Sequence, residues 1–322
     1  MKYIVITSIF EPTQAVIAFS KIPGYSVIVV GDKKSPENYN YDGVKFLPYT
    51  KKFGFKIESL LPYNHYCRKM IGYALAIRNG ANVIIDTDDD NVPLDNWRFP
   101  DFQGNFDIVT TDTKFINMYE LYTEQKIWPR GMPLQYINQK NNYKIFKEKC
   151  EVGIWQSLAD ADPDVDAIYR LTNNTPCFFD KSIPEYILNK DIFCPFNSQN
   201  TAFRKELFAL LYLPTTVTFR FTDILRGLVA QPIMQLYGYR LGFTTSTVIQ
   251  ERNEHDYIKD FEDEIPCYLH SESVIEIVKE VVHKDFSVNN NLMRAYAALS
   301  ERNIINNSEL NIVNAWLEDI GG

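Results

Sequence analysis

Short apolar runs interrupted by one helical stretch constrain this chain most. Tyr3 to Thr7 reads as a buried strand, and Ser26 to Val30 (SVIVV) as a second that stops at the turn signal Gly31-Asp32. Val44 to Leu47 is a third. Between His65 and Asn79 the period changes: Met70, Tyr73, Ala74 and Ile77 recur at helical spacing until Gly80. Asn82 to Ile85 then returns to a strand. Strand, helix, strand in this rhythm predicts an open parallel α/β sheet. Ligands of such sheets sit outside the carboxyl ends of the strands.

At that end of the last of these strands lies NVIIDTDDDN, residues 82 to 91, with Asp86, Asp88, Asp89 and Asp90 in close succession. Carboxylates this crowded raise one another's pKa unless a cation neutralises them. A cluster of hard oxygen ligands suits Mg²⁺ or Mn²⁺, whose shells phosphate oxygens usually complete. Such a metal would screen a diphosphate leaving group. The competing reading is a solvated acidic turn or an incidental Ca²⁺ loop, and the position after an apolar strand weakens it.

Other segments carry weaker signals. Arg68-Lys69 could face a diphosphate, although a solvated helix face explains the pair as well. Arg130, between Pro129 and Gly131, sits in a constrained turn that is either a surface turn or a device aiming its fork at phosphate or carboxylate. In DADPDVDAIYRLT, residues 160 to 172, the alternating Asp residues lack the Gly and distal Glu of a calcium loop; Asp164 or Asp166 could instead bind sugar hydroxyls. Asp223 and Arg226 in FRFTDILRG could be base and orienter, or a cap and a surface pair. His255 is a weak candidate for a late metal ligand.

Composition bounds the partners. A net charge of -8 and a pI near 5.2 exclude a general binder of nucleic-acid backbones. The five cysteines are scattered without a Cys-x-x-Cys pair, which predicts a reduced, cytoplasmic setting. MKYIVITSIFEPTQ lacks a signal-peptide pattern, and no segment reaches the ~20 apolar residues of a membrane span, so no integral membrane segment is expected. The middle, from about 112 to 200, reads as long functional loops with short strands. Helical spacing resumes after Glu272, through Val274, Ile277, Val278 and Val281 and then Leu310, Val313, Trp316 and Leu317. A catalytic domain over 1–270 and a helical C-terminal subdomain over 271–322 are therefore expected, and 322 residues suffice for both.

The segments VITSIFEPTQAV, VVGDKKSPENY, LPYNHYCRKMIGYALAIRNGA, DTDDDN, WPRGMPL, ADPDVDAIYRL, PFNSQNTAFRKELFALLYLPTTVTFRFTDILRG and RNEHDYIKDFEDE resemble, in order, the STELLO family of glycosyltransferases along nearly the whole length to about residue 270. Plant members carry a membrane anchor and are linked to cellulose synthase assembly; neither is carried over here. A weaker resemblance runs to the reversibly glycosylated polypeptides, including UDP-arabinopyranose mutases, through the Asp run, the segment around Arg130, Pro163 to Ala167, and Asn200-Thr201-Ala202-Phe203. Both resemblances imply a GT-A fold: a Rossmann-like, mostly parallel nucleotide-sugar-binding sheet, here with a C-terminal helical extension.

The resemblance also implies roles. Thr7 and Ser8 would approach the base or ribose with Asp32 close by, and Arg68 would reach the diphosphate or uracil. Asp88 and Asp89 would bind the nucleotide sugar; Asp88 and Asp90 would ligate Mn²⁺ or Mg²⁺, with His255 as third ligand. Asp164, Asp166 and Asn200 join the nucleotide-sugar site, and Asp223 would be the acceptor-activating base. The expected reaction moves a sugar from a UDP-sugar to a glycan or polysaccharide-precursor acceptor. The alternatives are a pyranose/furanose mutase that glycosylates Arg130, and a non-catalytic scaffold of the same fold.

Overall fold

The computed structural model describes residues 1–321 apart from 96, 140–141 and 252–255. Its first part follows the predicted rhythm. β1 (Lys2–Thr7), α1 (Gln14–Ser20), β2 (Tyr25–Val30), β3 (Val44–Leu47), α2 (Lys69–Arg78) and β4 (Val83–Thr87) follow in order, and the four strands lie parallel as β3-β2-β1-β4. Strand periodicity divides their side chains between two cores. Tyr3, Val5, Ile28, Val30 and Ile84 pack on one face with Met70, Tyr73 and Ala74 of α2. Ile4, Ile6, Val27, Val29 and Ile85 pack on the other with Ala15, Val16 and Phe19 of α1. Period two puts Asp86 on the same face as Ile84, toward α2.

The remainder departs from a mostly parallel sheet. After β5 (Asn91–Pro93), β6 (Gln103–Thr110), β7 (Lys144–Asp160), α3 (Ala167–Thr172), β8 (Tyr186–Leu188) and β9 (Asn200–Arg204), the chain forms α4 (Thr222–Leu236) and β10 (Tyr239–Gln250). β9 runs antiparallel to both β4 and β7; β7 pairs antiparallel with β6 and parallel with β10; β8 joins β6 to β10. The sheet is mixed, and β6, β7, β10 and β8 close a ring. β7, 17 residues long, lies in the region expected to be mainly loops. Its first half alternates Lys and Glu with exposed Ile145 and Phe146, which hides the strand in the sequence.

Three helices end the chain: α5 (Tyr257–Val281), α6 (Val288–Glu301) and α7 (Glu309–Ile320). The expected boundary at 270/271 falls inside α5, and Val274, Tyr296 and Trp316 are buried in the same core as Tyr73 and Leu228. The C-terminal helices form a layer on the shared core. No helix among the described residues is long and apolar enough to cross a membrane.

Candidate active site

The acidic run opens from the end of β4 into a cleft, and a buried cation supports it from beneath. Lys69, in the first turn of α2 and wholly inaccessible, donates to Asp86 Oδ1 (2.9 Å), the Thr87 carbonyl (2.8 Å) and Asp88 Oδ1 (2.9 Å). All three ammonium protons are thus used. Arg226 of α4 reaches the other oxygen of Asp86 at 2.6 Å. Burial alone would raise the Asp86 pKa, but Lys69 and Arg226 hold its carboxyl below the usual range. Asp86 is an internal anchor, and Asp88, Asp89 and Asp90 line the cleft.

The lining carboxylates titrate the other way. Burial pushes Asp88 up to about 7, with Lys69 opposing and Asp90 and Asp86 adding to the rise. Burial likewise raises Asp89 to about 6, against the hydrogen bond from the Ser8 hydroxyl at 2.5 Å. Adjacent carboxylates that resist ionisation fit a divalent cation, whose charge would reverse both shifts. Among the described residues no three His, Cys, Asp or Glu side chains converge on one metal position. A cation there would draw its remaining oxygens from substrate or water, as Mg²⁺ commonly does.

On one side the cleft continues into a second cavity that shares Thr7, Tyr66, Asp89 and Phe219 with it. Asp32, at the end of β2, faces this cavity; its Oδ1 accepts the Lys33 N–H and its Oδ2 the His65 N–H. Arg68 lies 3.8 Å from Asp32 and stacks on the Tyr63 ring at 4.6 Å. It is buried, yet its Nε and Nη1 have no hydrogen-bond acceptor, an arrangement that favours a ligand bringing acceptor oxygens. A 3-10 turn, Tyr66–Arg68, holds Arg68 in place, capped by His65 Nδ1 accepting the Cys67 N–H at 3.1 Å.

The opposite wall is built around Arg130. Its Nε and Nη2 grip Asp164 at 2.8 and 2.7 Å; Nη1 and Nη2 reach Asp223 at 3.1 and 3.0 Å; Nη1 also donates to the Arg220 carbonyl. Five donors meet five protein acceptors, so the guanidinium positions two carboxylates. Burial would lower its pKa, but Asp164 and Asp223 hold it well above its ordinary range. Asp223, in the first turn of α4, also accepts the Ser198 N–H (3.1 Å) and the Tyr66 hydroxyl (3.2 Å).

Thr7, Ser8, Asp32, Arg68, Asp88, Asp89, Asp90, Arg130, Asp164 and Asp223 thus line the two joined cavities. Asp166 and Asn200 do not. Asp166 caps α3 through the Tyr169 N–H and accepts the Trp128 indole N–H, so a local backbone need consumes it. Asn200, in β9, bridges Thr247 and Trp97 inside the sheet. His255 lies outside the described residues. Sequence reasoning missed Tyr66, Gln199 and Gln250, which face the cleft, and the inward role of Lys69. The helical register of Lys69 relative to Met70 and Tyr73 was the available signal for it.

Comparison with known proteins relates the chain to one family. A family model described as STELLO glycosyltransferases matches residues 220–321. The probable glycosyltransferases STELLO1 and STELLO2 of Arabidopsis thaliana are each 26% identical to the chain over 99% of it, and the chain spans 44% of their length. A solved structure described only as a mycobacterial protein superposes with a TM-score of 0.43 at 10% identity, over 84% of this chain and 74% of that one, too distantly to carry an argument. The family and curated matches together support the assignment of this chain to the STELLO family.

Proposed function

We propose that the protein is a metal-dependent glycosyltransferase of GT-A type that moves a sugar from a nucleotide sugar, a UDP-sugar in the first instance, to a saccharide acceptor. The observation that carries this reading is the position of three consecutive carboxylates at a strand end, between a cavity holding Arg68 and Asp32 and a wall holding Asp223. Ser8, Asp32 and Arg68 bind the nucleoside and its first phosphate. Asp88 and Asp90 would hold Mn²⁺ or Mg²⁺, which when bound supplies charge compensation to the diphosphate. Asp223, oriented by Arg130 and Ser198, takes the proton of the acceptor hydroxyl. The family names support transfer chemistry, and the five unpaired thiols accord with a cytoplasmic, reducing setting.

Isomerisation through a glycosylated Arg130 finds less support, because every donor of that guanidinium is engaged and its proton is tightly held. The test is thermal unfolding with UDP-glucose, UDP-galactose and UDP-xylose, with and without Mn²⁺. A donor at a hundredfold over its Kd stabilises by about 2.7 kcal/mol. The expected outcome is a Mn²⁺-dependent shift with at least one donor that Asp90→Ala abolishes. A shift that persists in Asp90→Ala would overturn the metal assignment.

A further inference from the structure

Phe219 is a large apolar side chain left 48% exposed at the junction of the two cavities, where it lines both and stands on the Asp223 side of the cleft. Its neighbours fix it in place. The Tyr66 ring packs edge-on against it at 4.6 Å, the His65 ring at 5.2 Å, and the Tyr66 hydroxyl lies 3.2 Å from its carbonyl, an alternative acceptor to Asp223 for the one O–H proton. The same hydroxyl contacts Asp223 Oδ1, so one side chain sets the ring and the carboxylate relative to each other. Phe219 also opens the 3-10 turn Phe219–Phe221 that leads into α4, four residues before Asp223.

A half-solvated aromatic ring leaves apolar area in water that a covering apolar surface would bury. A pyranose offers such a surface on its C–H face, while its rim presents hydroxyls. A ring held beside a carboxylate matches both parts of that surface at once: the C–H face covers the ring and a rim hydroxyl meets the carboxylate. An isolated serine or threonine hydroxyl would use the carboxylate and leave the ring wet.

We propose that Phe219 is the platform on which the acceptor sugar stacks, presenting one hydroxyl to Asp223, and that the acceptor is therefore a saccharide ring and not an isolated side-chain hydroxyl. This inference rests on the transferase reading above. It requires the rings of Phe219 and Tyr66 to act together: Tyr66 holds the platform and Phe219 makes the contact.

The experiment measures UDP release from the donor found by thermal shift, with Mn²⁺, in the presence of the methyl glycosides of glucose, galactose, mannose, xylose and arabinose, and of cellobiose. At least one of these sugars is expected to accelerate release saturably. Phe219→Ala should raise its KM at least tenfold, Phe219→Tyr and Phe219→Trp should restore it, and UDP affinity by calorimetry should move less than twofold. Three results would overturn the platform: no sugar accelerating release from a wild type that binds donor; an unchanged sugar KM in Phe219→Ala; or a tenfold loss of UDP affinity, which would assign the ring to the nucleotide. Failure of the wild type to bind any nucleotide sugar would instead defeat the transferase reading, and the two failures are read from different measurements.

Discussion

The Arg130 guanidinium carries five N–H donors, and each ends on a protein oxygen: two on Asp164, two on Asp223 and one on the Arg220 carbonyl. A lysine at this position has three donors on a point charge and cannot bridge two carboxylates in one plane. Arg130→Lys should therefore lower kcat/KM by about a hundredfold, the scale of a misplaced catalytic group, with UDP affinity within twofold. Turnover near that of the wild type would refute the positioning role. Little of this was legible in WPRGMPL, whose flanking Pro129 and Gly131 signal a constrained turn. The partners lie 34 and 93 residues away, and no local pattern announces them. Lys69 makes the same point from the other direction: it reads as half of a surface pair, and the packing of α2 on the sheet turns it inward.

At the scale of elements, two turns decide how the site is presented. The first is Tyr66–Arg68, whose cap needs a neutral His65, because Nδ1 must accept the Cys67 N–H. Burial lowers the imidazole pKa from its ordinary 6.5 to about 4, against the pull of Asp32. A depressed histidine pKa means that the unfolded chain takes up the proton first. The contribution of His65 is present above pH 6.5 and lost as the pH falls toward 4, at up to about 1.4 kcal/mol per pH unit. Urea midpoints measured from pH 4 to 7 should show this slope in the wild type and a shallower one in His65→Asn, which keeps a capping oxygen without the titration. Parallel slopes would remove His65 as the source.

The second turn holds Gly131 at φ +85°, where an added Cβ would lie 2.4 Å from Ile224 Cγ2 on α4. Gly131→Ala combines left-handed strain with a clash against the helix that carries Asp223. A loss of about 1–3 kcal/mol is expected, with reduced turnover; an unchanged urea midpoint would show that α4 can yield. The helix α2 and the parallel strands beside it were legible because apolar period reports burial directly. β7 was not, since its exposed half alternates charges and its buried half completes a ring that only long-range pairing creates.

For the whole molecule, the C-terminal helices matter to the cleft. Glu309, at the start of α7, accepts the N–H groups of Thr215 and Thr216 at 2.8 Å and the hydroxyl of Tyr212. It thereby anchors the segment that leads into Phe219 and Asp223. The Trp316 indole, fully buried, donates to the Ala209 carbonyl at 2.9 Å. A chain ending at residue 270 should therefore lose cooperative unfolding, because it bares the core behind α4 and frees that segment. Circular dichroism melts and solubility are the measurements, and a truncated chain with a sharp melt near that of the full chain would establish 271–322 as dispensable.

By itself the amino-acid sequence determined the parallel half of the sheet, the helix α2 against one face of it and the acidic run at a strand end. These follow from period, turn residues and local crowding of charge, which act within a few residues. Tertiary structure alone decided that Lys69 braces Asp86 and Asp88 from beneath, that Arg130 is spent on Asp164 and Asp223, that Asp166 and Asn200 serve the interior, and that Phe219 is left facing the cleft. The reason is physical. A charged or aromatic side chain takes its role from what it is buried against, and burial is set by contacts between segments far apart in the chain.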